Sequence, residues 1–283
     1  MTVPMPIHDG STLAFALYTA AMLAITLGLF AWWGVSRERQ RGPALPLLLI
    51  GGALSGLVEL FLDNVVLVWW PPEQPLAAFE AFGRTVPWFV PIGYAWFCGA
   101  LLYFAARNYA AGVRPAQVWA IFAVVAVVDY VAIAATTWIG IMGFYGDPPM
   151  NVGGYPLWWA AIDGAHVMFG GAVVLLLAPR LRGFARLWLL AVPTIVIAAS
   201  GGAVGWPIST ALNSGWSAAG KWVAAAVTIG IGCAIVHLVA QAVSRPDHWL
   251  GFDPGTRWPR PAAASDSRSE AKNPRVAGLS RQT

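Results

Sequence analysis

Seven long apolar stretches constrain this chain more than any other feature of its sequence. Each is long enough to cross about 30 Å of hydrocarbon as an α-helix, and charged residues or Pro- and Gly-rich turns such as WWPPEQP separate them. Strands of a membrane barrel need only about ten residues. The pattern therefore predicts an all-α integral membrane protein with a bundle of about seven transmembrane helices. The predicted spans are 12–34, 45–70, 87–106, 116–142, 156–178, 185–206 and 219–243.

Composition supports the same class of protein. Charged residues make up 11% of the 283 residues and hydrophobic residues 58%, whereas roughly a quarter of a soluble domain is charged. A single domain of this size has too little interior to bury so much apolar surface. Lipid must then be the solvent for most of the chain, which predicts a multi-pass protein of the cell membrane. The lipid bilayer is its expected surrounding, no nucleic acid is expected as a partner, and the oligomeric state stays open.

Basic residues predict the orientation of the bundle. Eight arginines fall in or beside the connections after the first, third and fifth predicted spans, and the opposite side has only Arg84 and Lys221. Cytoplasmic loops carry the excess of Lys and Arg, so we expect the N-terminus outside and the C-terminus in the cytoplasm. We divide the chain into a transmembrane domain, 1–250, and a tail, 251–283. The tail is too poor in apolar residues to order itself, so we predict that it is disordered and cytoplasmic.

Four carboxylic acids lie inside the predicted spans, where an ionisable group is costly and is kept only if something uses or satisfies it. They are Glu59, Asp63, Asp129 and Asp163, and no Lys or Arg is predicted at their depth in the membrane. Residues three or four apart share a helix face, which places Glu59 beside Asp63 and Asp163 beside His166. From the predicted orientation, we expect the four acids to converge on one cavity in the outer half of the bundle.

Such a cluster has the composition of an acid/base site. Removal from water and a second acid nearby both disfavour ionisation, and a protonated acid beside an ionised one supplies a proton donor and an acceptor together. This equipment can protonate an alkene, an epoxide or a carbonyl and collect a proton elsewhere. We predict neither a cofactor nor a metal, since no HxxxH or clustered-histidine pattern is present. The predicted catalytic residues are Glu59, Asp63, Asp129, Asp163 and His166.

Each of these residues also has a purely structural interpretation. Asp129 and Tyr130 could bond neighbouring helices, Asp63 and Asn64 could be a polar pair at a helix end, and His166 could be an interior histidine. His237 and Gln241, near the end of the last span, fit a structural role better.

Aromatic residues concentrate on the predicted outer side. A belt at the membrane interface explains several of them, and aromatic walls around a cavity would stabilise a cationic intermediate through their ring faces. Both interpretations stay open. The outer connections 71–86 and 143–155 are either caps over the helix ends or short ordered turns. The predicted substrate-binding residues are Asn64, Trp70, Trp88, Tyr94, Tyr145 and Trp159.

Three segments carry a resemblance to known proteins: GGALSGLVELFLDNVVLVWWP, GRTVPWFVPIGYAWFCGALLYF, and the stretch from Asp129 through GFYGDPPMNVGGYPLWWAAIDG. They are similar to a group of actinobacterial multi-helix membrane proteins. More distantly they resemble AveC-like spirocyclases and, by architecture, Pyr4-type integral membrane terpene cyclases. The resemblance covers roughly residues 45–170 and rests on spaced acids and aromatics.

The resemblance implies acid/base ring closure of a lipophilic terpenoid or polyketide-like small molecule inside a helical bundle. Pyr4-type cyclases place one essential acid in an early helix, and Glu59 is its match here. They place a second acid in the last helix, where this chain has no Asp or Glu. Asp129 or Asp163 would have to take that second role.

The favoured function is therefore a membrane-embedded cyclase, and two alternatives stay open. Membrane acids also mark the ion pathways of proton-coupled transporters, although the internal repeats common in carriers are not visible in this sequence. An accessory membrane subunit is the other alternative. A retinal-binding photoreceptor needs a lysine deep in the last helix, and Lys221 lies at the outer edge of that helix.

Overall fold

The structure is a computed structural model that describes residues 9–244. The predicted tail, 251–283, lies outside the described residues. Within them, seven helices are long and apolar enough to cross a membrane, which confirms the predicted number of spans and their helical class. Numbered as the first to the seventh span, they are Thr12–Val35, Ala44–Val66, Phe89–Ala110, Pro115–Trp138, Leu157–Leu177, Gly183–Ala203 and Ala218–Ser244.

The bundle has two ends that differ in structure and charge. At one end, which we call the hairpin end, Lys221 Nζ donates to Gly146 O at 2.9 Å and Asn213 Nδ2 donates to Val65 O at 2.8 Å. At the other, the arginine end, Arg107 Nη1 donates to Glu38 Oε1 at 2.6 Å. Each of these hydrogen bonds joins a residue at or near the end of one span to a segment elsewhere in the chain.

Short antiparallel strand pairs cover the hairpin end. We label the strands β1 (Val68–Trp69), β2 (Ala77–Ala81), β3 (Arg84–Pro87), β4 (Gly143–Phe144), β5 (Asn151–Val152) and β6 (Tyr155–Pro156). They pair as β1 with β4, β2 with β3, and β5 with β6. Phe82 and Gly83 link β2 to β3 with φ of 53° and 69°, the left-handed backbone that two-residue hairpin turns require. The connections 71–86 and 143–155 at this end therefore contain ordered hairpins and are not simple turns.

Several helix ends differ from the predicted ones. The second span ends at Val66, and not near residue 70, because Leu67 adopts a left-handed conformation and the next two residues form β1. The fourth span ends at Trp138, and not near residue 142. The sixth ends at Ala203, and a separate short helix, Trp206–Asn213, follows it. In each case apolar composition continues past the last helical residue, so hydropathy alone places the end too late.

Two irregular turns lie inside the second and third spans. The second changes from α-helix to a 3₁₀ turn at Gly56–Val58, directly before Glu59. The third contains a π-helical turn at Ala95–Ala100, directly after Tyr94. Such turns rotate the side chains that follow or precede them relative to a regular helix. Here they flank Glu59 and Tyr94, whose side chains form a hydrogen bond between the second and third spans.

Glycines bring the second and third spans into backbone contact. A Cβ atom on Gly99 would lie 2.2 Å from the carbonyl oxygen of Leu48, and one on Gly52 would lie 2.4 Å from that of Tyr94. Neither carbonyl belongs to a flexible side chain that could move aside. The close approach therefore depends on the absence of a side chain at both positions.

We expect Gly99→Ala to lower the free energy of unfolding by about 1–3 kcal/mol, the usual cost of overpacking a tight interior. Thermal unfolding of the purified protein in detergent measures the change. Gly28→Ala is the matched control, because a Cβ there meets no atom within 4 Å and alanine is favoured over glycine inside a helix. Equal melting temperatures for the two variants would contradict this account of the packing.

Candidate active site

The four acids predicted from the sequence are all buried, and they form two pairs. Glu59 and Asp63, one turn apart on the second span, place their carboxyl groups within hydrogen-bonding reach of each other. Asp129 on the fourth span is paired in the same way with Asp163 on the fifth. Two ionised carboxylates have only acceptors and repel each other in a buried site, so each pair favours holding at least one proton.

A phenol and an indole accompany each pair. Beside the first pair, the Tyr94 hydroxyl donates to Glu59 Oε2 and Trp70 Nε1 donates to Asp63 Oδ2 at 2.7 Å. Beside the second pair, the Tyr155 hydroxyl donates to Asp129 Oδ2 at 2.5 Å. Each pair thus accepts a hydrogen bond from a tyrosine, although the two tyrosines come from different parts of the chain.

The second pair differs in how its indole is placed. Trp159 Nε1 is directed at the carboxyl of Asp163 but does not form a well-aligned hydrogen bond with any of residues 9–244. Tyr155, which lies just before the fifth span, does donate a hydrogen bond to this pair, through its hydroxyl to Asp129. Burial, followed by the nearby Asp129 and Asp163, raises the pKa of its hydroxyl well above the ordinary value for tyrosine. The hydroxyl therefore keeps its proton at any physiological pH.

Both pairs face one cavity of about 100 Å³ in the half of the bundle nearer the hairpin end. Glu59, Asp129 and Asp163 line it, while Asp63 lies behind Glu59. The two pairs are close enough that Glu59 and Asp163 interact electrostatically. Most of the remaining lining is aromatic or apolar, from Tyr18, Met22, Trp70, Phe89, Val90, Tyr94, Trp96, Phe97, Ile133, Met142 and Trp159.

Arg84 corrects the expectation that no basic residue reaches the acids. It is buried on strand β3, within electrostatic reach of Asp63. Its Nε donates to Asn64 Oδ1 at 3.1 Å, its Nη1 donates to Val68 O, and its Nη2 donates to the Tyr145 hydroxyl at 2.5 Å. The β2–β3 hairpin folds back onto the bundle and carries a positive charge to the first acid pair. Hydropathy places Arg84 in an outer loop and gives no sign of this contact.

Three predicted binding residues do not line the cavity. Asn64 donates to Leu60 O at 2.7 Å and accepts from Arg84, so it helps to hold the hairpin. Tyr145 contacts Arg84 through its hydroxyl and its ring. Trp88 is about half exposed at the hairpin end, next to the cavity residue Phe89. The predicted Trp70, Tyr94 and Trp159 do line it.

His166 is fully buried one turn from Asp163, toward the arginine end. Its ring lies against Phe97, with 6.2 Å between the ring centroids, and is not part of the cavity lining. Neither ring nitrogen has a hydrogen-bond partner among residues 9–244. The geometry gives His166 no direct contact with a molecule in the cavity.

Sequence reasoning missed Tyr18, Tyr155 and Arg84. Tyr18 lies on an apolar helix that has no charged residue to mark it. Tyr155 follows Gly153 and Gly154, a two-glycine signal for a hairpin turn, and that turn returns the chain to Asp129. Arg84 follows the Phe82–Gly83 turn. The turn residues before Tyr155 and Arg84 were therefore the sequence signals from which their return to the bundle could have been predicted.

Comparison of the chain with protein-family models, with curated proteins and with solved structures finds no match. The resemblance to spirocyclases and terpene cyclases is therefore an expectation that these comparisons do not support. In the part of the chain that the structure describes, no group of three or more His, Cys, Asp and Glu residues is arranged to hold a metal ion. Function must be argued from the geometry of the acid pairs.

Proposed function

We propose that this protein is a membrane-embedded acid/base cyclase that acts on a lipophilic, terpenoid or polyketide-like small molecule. The observation that carries the proposal is the presence of two proton-holding carboxyl pairs on one aromatic-lined cavity. Groups that give and take protons at fixed positions typically accelerate a reaction by roughly 10²–10⁴-fold. Two such groups facing one space can act on two atoms of the same molecule.

Charge balance supports a separate role for each pair. A buried charge is costly unless an opposite charge lies near it, and Arg84 supplies that charge to Asp63. The Glu59/Asp63 pair can therefore hold one proton and one negative charge, and Glu59, the member that lines the cavity, is the proton acceptor. Among the described residues, no Lys or Arg contributes to the surroundings of Asp129 and Asp163. Without a nearby positive charge that pair is the more easily kept protonated of the two, and we assign it the role of the acid.

The proposed step conserves protons. A proton passes from the Asp129/Asp163 pair to an alkene, epoxide or carbonyl of the substrate, which leaves an electron-poor carbon. A second double bond of the substrate attacks that carbon and closes the ring, while the faces of the aromatic side chains stabilise the positive charge. Glu59 then removes a proton from the product. One proton has moved from one pair to the other, and its return to the Asp129/Asp163 pair resets the site.

The size of the cavity supports a substrate that is only partly enclosed. Its volume of about 100 Å³ is below the roughly 300 Å³ at which pockets begin to enclose a drug-sized ligand. The first span, which contributes Tyr18 and Met22, is the least buried of the seven. Its Tyr18 hydroxyl donates to Ala132 O of the fourth span at 3.2 Å. We place the entry for the substrate between these two spans, with its apolar remainder in lipid.

Orientation in the membrane is part of the proposal. The arginine end faces the cytoplasm by the positive-inside rule, so the acid cavity lies in the outer half of the bilayer. A reporter fused after residue 243 should then be cytoplasmic, and one inserted next to Asp147 should be external. Reporters that give the same side at both positions would contradict the orientation and the odd number of spans.

Trp159→Leu should change products more than rate. Trp159 lines the cavity beside Asp163, where its ring shapes the space and faces any cation formed there. We expect turnover to fall by about 5–30-fold, which corresponds to the roughly 1–2 kcal/mol of a desolvated cation–π contact, together with a broader set of cyclised products. Gas or liquid chromatography with mass spectrometry of the products measures both effects. A loss as large as that of an acid variant, with a single product, would contradict the role of an aromatic wall.

The function is tested by supplying membranes that contain the protein with polyene, epoxide and polyketide precursors and analysing the products. Cyclised isomers of unchanged mass, formed by wild type and not by Glu59→Gln, are the expected result. A proton-coupled carrier gives a different outcome: uptake that depends on pH, no new compound, and an amide variant that binds its cargo without coupling to protons. That outcome would overturn the proposed enzyme.

A further inference from the structure

A second cavity, of about 290 Å³, lies at the arginine end, far along the bundle from the acid pairs. Its walls come from the start of the second span, the end of the fifth and the beginning of the sixth. Three arginines line it: Arg41, Arg182 and Arg186. Nothing in the proposed reaction uses this space or these side chains.

Little negative charge balances these arginines. Glu38 is the only acidic residue at the arginine end within residues 9–244. Its carboxylate already accepts from Tyr103 at 2.5 Å and from Arg107 at 2.6 Å, and it lies 3.5 Å from Arg41 Nε. Arg41 and Arg107 both pair with Glu38. Arg182 and Arg186 are therefore available to an anion from outside the bundle.

The walls between the arginines are apolar, and they continue onto an apolar surface. Leu181 and Leu189 line the cavity. Beside them, the 3₁₀ segment Gly183–Leu190 carries Phe184 and Trp188, which are 93% and 70% exposed. Aromatic side chains at this level of a bundle contact the region between lipid headgroups and acyl chains. The site thus combines guanidinium groups with an adjoining surface for hydrocarbon.

We propose that this cavity binds the phosphate group of an anionic membrane phospholipid, with the acyl chains along Phe184 and Trp188. Guanidinium groups bind phosphate through paired hydrogen bonds, and basic pockets between helices at the cytoplasmic side are a known form of lipid headgroup site. The cavity is large enough for a headgroup, and a free phosphate ion would leave the apolar surface unused. The bound lipid would hold the second, fifth and sixth spans together.

The test compares lipid retention by wild type and by the double variant Arg182→Gln/Arg186→Gln. Both arginines are exposed, so the variant should fold, and a monodisperse elution profile checks this. The control is Arg37→Gln/Arg39→Gln, which removes the same charge from exposed positions at the same end that do not line the cavity. Native mass spectrometry after graded detergent washing, with added phosphatidylglycerol or phosphatidylcholine, gives the bound fraction.

Each arginine that contacts the anionic headgroup contributes about 5-fold to its binding, so the double variant should bind phosphatidylglycerol about 25-fold more weakly. The control should bind it as wild type does, and phosphatidylcholine should bind weakly to all three proteins. Equal losses in variant and control would overturn the proposed site. Inorganic phosphate that displaces phosphatidylglycerol at equal concentration would overturn lipid as its occupant.

Discussion

The variants Glu59→Gln and Asp163→Asn are expected to fold and to lose roughly 10²–10⁴-fold of turnover, the range of a general acid or base. Each amide keeps the size of the acid but cannot release or take up a proton. Folding should survive because Tyr94 and Trp159 stay in place as neighbours of the new amides. Initial rates of product formation, with protein amounts matched by immunoblot, measure the loss.

Glu80→Gln is the matched control for this experiment. Glu80 is an exposed acid on strand β2, and the same change of charge there touches neither pair. Its turnover should equal that of wild type. If Glu59→Gln or Asp163→Asn kept wild-type turnover, the carboxyl pairs would have no part in the chemistry.

Arg84→Met should produce the largest loss of stability in the molecule. The substitution removes the donors to Asn64, Val68 O and Tyr145, and it leaves the charge of the Glu59/Asp63 pair without a partner. Removing one member of a buried charged pair costs about 3–5 kcal/mol. Thermal unfolding in detergent measures the loss. Arg84→Lys should recover little of it, since an ammonium group cannot reproduce the fork of hydrogen bonds.

A second substitution separates the charge from the hydrogen bonds of Arg84. In Arg84→Met/Glu59→Gln the first pair has lost the residue assigned as its proton acceptor and with it the negative charge, so the double variant should be more stable than Arg84→Met alone. Both variants lack the hairpin contacts, and only the charge differs. A double variant that is no more stable would show that Arg84 acts through the hairpin alone.

The spans were predictable because their signal is local. Twenty or so consecutive apolar residues require a lipid surrounding whatever the rest of the chain does, and Glu59, Asp63, Asp129 and Asp163 stand out against that background. The spacing of Glu59 and Asp63 also predicts their shared face. What spacing cannot give is the partner on another helix, and Asp129, which appears isolated on its own span, joins Asp163 only through packing of the fourth span against the fifth.

The hairpin end was not predictable to the same degree. Its strands are two to five residues long, too short for an alternating pattern to be recognised. Arg84 and Tyr155 reach the acids because tight turns fold the chain back onto the bundle. A turn can be recognised in the sequence, but it does not show which residues the side chain after it will contact. Trp88 illustrates the opposite error, since its neighbour Phe89 lines the cavity while Trp88 itself is exposed.

The most direct test of the account is an infrared measurement of the carboxyl protons, which needs no substrate. Protonated carboxyl groups absorb apart from ionised ones, and their bands shift when the protons exchange with D₂O. The account predicts exchangeable protonated carboxyls in wild type, loss of one of them in Glu59→Gln, and a larger loss in Asp129→Asn/Asp163→Asn. Glu80→Gln should match wild type. A wild-type spectrum without such bands, or bands that all four proteins share unchanged, would contradict the proton-holding pairs on which the proposed function rests.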